Sequence, residues 1–253
     1  RKRAVDECEG VEVEVLHVKK LRENKNLEEY EGLIFPGGFS YGDHVRAGAI
    51  LGQEMITKLG KELREFTEEE KPILGICNGF QVLVETGLLP QFDGISEHPT
   101  AALAINESAK YECRWVHLRN ENSGNCIFTE EIDENEKLYM PVAHKEGRFM
   151  LQKENENQYL KEMKENDQIV FRYCKETGDL AEGEYPENPN GSLSDIAGIC
   201  DPSGKIMGLM PHPERGFYTY QLPDWTRRER ESKYSDGTTI FKSMAKYLKR
   251  EFS

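Results

Sequence analysis

The sequence predicts an α/β protein with a mostly parallel central sheet, helices on both faces, and antiparallel strands added beside it. Two observations carry this. In the first third of the chain, short apolar runs alternate with helix-compatible stretches, and that order implies parallel strands covered on both sides. The middle then changes to strands joined by short, turn-rich links, which suits antiparallel pairing.

Val11 to Val18 and Gly32 to Phe35 are rich in Val, Leu and Ile and read as strands. Arg46 to Phe66 reads as a helix, because Leu51, Met55, Leu59, Leu63 and Phe66 recur at three- and four-residue spacing and share one face. Pro72 to Ile76 is a further apolar strand, and Asn78 to Thr86 a helix closed by Gly87. Ala101 to Asn106, Lys110 to Arg119, Lys137 to Val142, Phe149 to Lys153 and Gln168 to Cys174 follow as strands. Ile196 to Asp201 and Lys205 to Met210 flank Asp201-Pro202-Ser203-Gly204, a strong turn signal. Tyr185 to Ser192 reads as a loop, since two prolines and an Asn-Gly pair break regular structure. A last helix begins near Thr239, with Phe241, Met244, Ala245 and Leu248 inward.

At 253 residues the chain can bury a full α/β core, and a single domain over residues 1–253 is expected. The net charge of -13 argues against nucleic acid as a partner, because phosphate binding wants a basic face. No run nears the roughly 18 apolar residues needed to cross a membrane. The cysteines are scattered and none forms Cys-x-x-Cys, so no metal site is expected. Low cysteine use in an acidic chain points to a reduced, cytoplasmic setting. Cys8, Cys113, Cys126, Cys174 and Cys200 are expected to be buried as small apolar side chains.

The chemistry concentrates in Gly75-Ile76-Cys77-Asn78-Gly79-Phe80-Gln81. A reactive side chain between two glycines, after a strand and before a helix, is the pattern of a nucleophile elbow. A helix N-terminus behind the sulfur favours a thiolate and, later, an oxyanion. A base is then needed. Pro213 biases His212 toward extended backbone, where Glu214 would face the same side, fix the ring tautomer and stabilise its charge. Of the other histidines, only His144 stays open as a site-lining residue. Phe35-Pro36-Gly37-Gly38-Phe39 ends a strand, where open α/β sheets place ligands, and its glycines let backbone approach a substrate.

These three pieces, in this order, resemble class I (triad) glutamine amidotransferases. Within that family, Gly38-Phe39-Ser40-Tyr41-Gly42-Asp43, Cys113-Arg114-Trp115-Val116, Pro186 to Ser192 and Gly208 to Arg215 are similar to the glutaminase subunits of phosphoribosylformylglycinamidine synthases. The resemblance implies a flavodoxin-like class I glutamine amidotransferase fold. It implies a Cys77–His212–Glu214 triad that hydrolyses glutamine to glutamate and ammonia, with Gly38 and Asn78 holding the oxyanion and Phe80 and Gln81 seating glutamine. Ammonia would pass to a large synthase subunit, joined by a small accessory subunit. That partner would use ATP and magnesium to convert formylglycinamide ribonucleotide to formylglycinamidine ribonucleotide, with no cofactor in this chain. Related glutaminase units of GMP- and CTP-forming enzymes share the triad and differ around Phe39 to Arg46 and Asn188 to Ser192. Two departures stand out. The family's opening strand is expected to be missing, since Arg1 to Glu9 is helix-like. Leu222 to Thr238 reads as an insertion, either a solvated helix face or a subunit interface.

Overall fold

The computed structural model describes residues 10–24, 27–38, 47–92, 99–227 and 232–252. The helix-like Arg1 to Glu9 stretch, Cys8, His44, His98 and the segment from Phe39 to Arg46 lie outside the described residues. In chain order the strands are β1 (Leu33–Phe35), β2 (Ile73–Ile76), β3 (Ala101–Ile105), β4 (Glu112–Asn120), β5 (Lys137–His144), β6 (Glu146–Leu151), β7 (Ile169–Cys174), β8 (Ile196–Cys200) and β9 (Ile206–Leu209). The helices are α1 (Val18–Asn24), α2 (Ala47–Glu68), α3 (Asn78–Glu85), α4 (Glu156–Glu165) and α5 (Gly237–Phe252).

Seven strands form one sheet in the order β1-β2-β9-β8-β7-β4-β5, and β3 pairs with β6 in a second, antiparallel sheet. β1, β2 and β9 are mutually parallel, and every later pair is antiparallel. Because β8 and β4 alone reverse, five of the seven strands point in one sense. Their carboxyl ends therefore gather at one edge, where the loops that matter emerge. Every residue of β2, β8 and β9 is buried, as expected for strands covered on both faces.

Two register-paired glycines let α3 sit tightly on this sheet. Gly75 of β2 pairs with Gly208 of β9. A side-chain carbon at Gly75 would strike Leu83 Cδ1 and the Gly79 carbonyl, and one at Gly208 would strike the Phe80 ring. On α2, Met55, Leu59, Leu63 and Phe66 are all buried, and Leu51 is partly so. On α5, Ile240, Phe241, Met244 and Ala245 fill the inner face, while Lys249 and Arg250 occupy the last turn, where cations suit the helix dipole.

The sheet also curls. β5 is the last strand in the order, four places from β9, yet the Pro141 carbonyl accepts from His212 N at 2.8 Å. Ala143 O lies 3.9 Å from Cys77 Sγ. The curl brings the far edge of the sheet back to the strand ends that carry the elbow.

Four expectations need correcting. Val11 to Val18 is not a strand: residues 11–17 pair with no sheet, and α1 starts at Val18. Alternation there tracks half-burial of Val11, Val13 and Leu16 without a hydrogen-bonded neighbour. α4 was not expected, because Met163 is its one buried residue and its composition is strongly polar. Cys113 is exposed, on the outward side of β4; Cys126, Cys174 and Cys200 are buried as predicted. In the Leu222 to Thr238 segment, residues 222–227 and 232–236 are turns and irregular chain and not a helix face, and α5 begins at Gly237; the charged positions Arg228, Glu229, Arg230 and Glu231 lie outside the described residues.

Candidate active site

Cys77 ends β2 and caps α3. Its backbone has φ 51° and ψ -105°, a conformation that non-glycine residues rarely hold. Two bonds impose it: Cys77 N donates to Leu209 O of β9 at 2.8 Å, and Cys77 O accepts from Gln81 N of α3 at 3.1 Å. Gly79 crosses so close to Phe35 of β1 that any side-chain carbon would collide with the Phe35 carbonyl. The turn is therefore sharp, and the sulfur stands between a strand end and a helix start, as in a nucleophile elbow.

His212 follows β9. Its backbone is extended (φ -107°, ψ 92°), as Pro213 requires, and Pro213–Arg215 then forms a 3-10 turn. His212 Nδ1 lies 2.8 Å from Glu214 Oε1. The pair forms across this turn, and not along one face of an extended strand as the sequence suggested. The side chains are 1% and 6% exposed, so the contact is shielded from water. The opposite ring nitrogen, His212 Nε2, is buried without a hydrogen-bond partner among the described residues. Gln221 clamps the turn: its Nε2 donates to Glu214 O at 3.2 Å, and its Oε1 accepts from Phe217 N and Tyr218 N.

Gly37 joins the two halves. A side-chain carbon there would lie 2.8 Å from His212 Cε1 and 3.2 Å from Cys77 Cβ. Cysteine, histidine and carboxylate thus converge around one glycine. A cleft of about 170 Å³ lies next to Gly37, lined also by Phe35, Pro36, Gly38 and Asn78, with Leu51 from α2 and Gly79 and Val82 from α3. Gly38 and Asn78, the predicted oxyanion donors, share this cleft. Cys77, His212 and Glu214 do not line it; Gly37 is the lining residue packed against both Cys77 and His212.

Phe80 and Gln81, expected to seat glutamine, sit beneath and beside the elbow. Phe80 is 1% exposed, lies over Gly208 and stacks on Phe149 at 6.5 Å, so it packs the core beneath the elbow. Gln81 Nε2 donates to Glu146 O at 2.7 Å, tying α3 to the turn between β5 and β6.

Around the site stand His144, which the sequence leaves open as a lining residue, and a set of buried polar groups. His144, at the end of β5, is buried; burial first, and the nearby His212 second, hold its pKa down at about 3. Tyr173 is fully buried, and burial with the charge of Cys77 pushes its pKa up against the opposing bond from Asn190. Asn190 Nδ2 bridges Gly147 O at 2.8 Å and Tyr173 Oη at 3.3 Å. Asn188 Oδ1 accepts from the backbone N–H groups of Asn190, Gly191 and Ser192, and its Nδ2 donates to Asp195 Oδ1. Ser192 Oγ accepts from Phe149 N. Part of this loop is a buried polar clasp on the strand beside the site. Its one sequence signal is amide density, Asn188 and Asn190 with Ser192.

Residues 3–248 match the CobB/CobQ-like glutamine amidotransferase domain. The chain is 46% identical over 251 residues to the phosphoribosylformylglycinamidine synthase subunit PurQ of Archaeoglobus fulgidus, covering 95% of this chain and 89% of that protein. Against the subunit of the same name from Methanococcus maripaludis strain C7 it is 43% identical, with the same coverage. Among solved structures, PurLQS from Thermotoga maritima superposes with a TM-score of 0.63 at 35% identity, over 88% of this chain and 82% of that one. The glutaminase domain of a Trypanosoma brucei CTPS, at 13% identity and a TM-score of 0.52, shares the fold, over 99% of this chain and 88% of that one. The chain belongs to the glutamine amidotransferase family, with the flavodoxin-like fold of that class. Within the family it stands with the glutamine-hydrolysing subunits of phosphoribosylformylglycinamidine synthase.

Proposed function

We propose that Cys77, His212 and Glu214 form a triad that hydrolyses glutamine and hands the ammonia to a large synthase subunit. The observation that carries this is the packing of strained Cys77 and Glu214-paired His212 on the same glycine, Gly37. The Cys77 thiolate attacks the side-chain carboxamide of glutamine. Backbone N–H groups of Gly38 and Asn78, on one cleft, hold the oxyanion; such a donor is typically worth about 10²–10³ in rate. His212, oriented through Nδ1 by Glu214, delivers a proton from Nε2 to the departing ammonia. Water then hydrolyses the γ-glutamyl thioester to glutamate and regenerates the thiolate.

The partner assignment leans on the relatives' names and on the PurLQS assembly. The large subunit, with a small accessory subunit, would supply ATP and magnesium for the amidation of formylglycinamide ribonucleotide. The test is a paired synthesis assay with the large subunit present. Cys77→Ala should lose glutamine-dependent synthesis and keep ammonium-dependent synthesis. Retention of both would make Cys77 structural and end the triad reading.

A further inference from the structure

We propose that His144 Nε2 is a substrate-reading acceptor, taking a hydrogen bond from an N–H group of bound glutamine. The inference rests on the glutaminase reading above and extends it to a second histidine.

The tautomer of His144 follows from its neighbour. Asn106 Nδ2 donates to two carbonyls, Lys110 O at 2.9 Å and His144 O at 3.0 Å. Its amide orientation is thereby set, and Oδ1 faces His144 Nδ1 at 3.1 Å. An amide oxygen only accepts, so Nδ1 carries the ring proton. Nε2 is then a bare lone pair. It has no hydrogen-bond partner among the described residues, and the side chain is 4% exposed. A buried acceptor left unmade costs about 1–3 kcal/mol, so its retention asks for a ligand.

Position says which ligand. The neighbouring Ala143 carbonyl lies 3.9 Å from Cys77 Sγ, and His212 is near enough for its charge to oppose protonation of His144. Gly147 lies against the Nδ1–Cε1 bond of the ring, where a side-chain carbon would stand 2.5 Å from both atoms. Nε2 points away from Asn106, which holds the other ring nitrogen. Gln81 anchors the same turn to the elbow helix through Glu146. A neutral imidazole with no proton at Nε2 cannot bind a carboxylate or act as an acid there. It selects N–H, and glutamine offers two such groups, the α-ammonium and the carboxamide.

The test uses the complex with the large subunit. His144→Leu and His144→Phe both remove the acceptor, and His144→Gln restores one near the same place. The two apolar variants should lose about 10- to 100-fold in kcat/KM for glutamine, the scale of one buried hydrogen bond, and His144→Gln should recover part of it. Ammonium-driven synthesis and alkylation of Cys77 by iodoacetamide should stay within about twofold of wild type, a change too small to be a buried bond. With glutaramic acid, which lacks the α-amino group, an unchanged rate in the apolar variants assigns the α-ammonium. An equal loss assigns the carboxamide. Wild-type-like kcat/KM for glutamine, or alkylation falling in step with it, overturns the inference. Cys77→Ala, run alongside, separates the cases: if it still uses glutamine, the glutaminase reading itself has failed.

Discussion

Gly37 lies against the His212 ring, so close that a side-chain carbon there would stand 2.8 Å from Cε1. The same carbon would touch Cys77 Cβ at 3.2 Å and the Ile76 carbonyl at 3.2 Å, so it has nowhere to retreat. Gly37→Ala should therefore move His212 and leave the fold largely intact. A displacement near 1 Å is worth about 10²-fold in rate, and that loss is expected in kcat for glutamine hydrolysis. Ammonium-driven synthesis by the complex should persist. A Gly37→Ala protein of wild-type kcat would mean that the histidine does not need its present place.

Glu214 Oε1 is the partner of His212 Nδ1, and the contact is nearly dry. Glu214→Gln keeps the volume, and its amide can present N–H to Nδ1 and favour the wrong tautomer. By analogy with triads in which the carboxylate is replaced by its amide, kcat should fall by about 10²–10⁴-fold with KM little changed. Steady-state kinetics on the complex would show it. A rise confined to KM would make Glu214 a binding group instead.

The elbow, the His-Pro-Glu turn and the glycine loop were legible in the sequence because each is local: a strand, a special residue, a helix or a proline within a few positions. The relations between them were legible only through family resemblance. Nothing in Lys137 to Val142 says that this strand, far from β9 in the sheet, returns to touch His212 and Cys77. That is set by the curl of the sheet, which sums small twists over all its strands. The packing of Phe80 is hidden for a related reason. Its place beside Cys77 in sequence suggests the substrate, but on a helix successive residues diverge, and Phe80 faces Gly208. The Asn188 to Ser192 segment is the loop that its sequence predicts, but its burial was not legible, since turn-forming residues also make good buried hydrogen-bonding groups.

Phe80 offers a check on this placement. It is 1% exposed and fills the space that Gly208 leaves open, stacked on Phe149. Phe80→Ala should destabilise the chain by about 3–5 kcal/mol, the usual cost of such a cavity. Phe80→Leu should cost clearly less and keep the KM for glutamine close to wild type. Urea unfolding of both variants, with KM measured in the complex, would decide. A large rise in KM for Phe80→Leu at near-normal stability would return Phe80 to the substrate site.

His144 predicts a pH dependence of stability with a defined sign. Burial, aided by His212, lowers its folded pKa to about 3, while an unfolded histidine titrates near 6.5. Above about pH 6.5 the ring is neutral in both states and contributes no slope. Below that, the unfolded chain takes up a proton that the folded chain refuses until about pH 3. Stability should therefore fall as the pH drops through this window, by up to about 1.4 kcal/mol per pH unit from this one residue. His144→Gln cannot titrate, so its unfolding free energy should decline less steeply from pH 6.5 to pH 4.5 in parallel urea titrations. The acidic groups of the chain affect both proteins alike, which leaves the difference in slope as the signature of His144. Equal slopes would mean that His144 is protonated as readily in the folded chain as in the unfolded one.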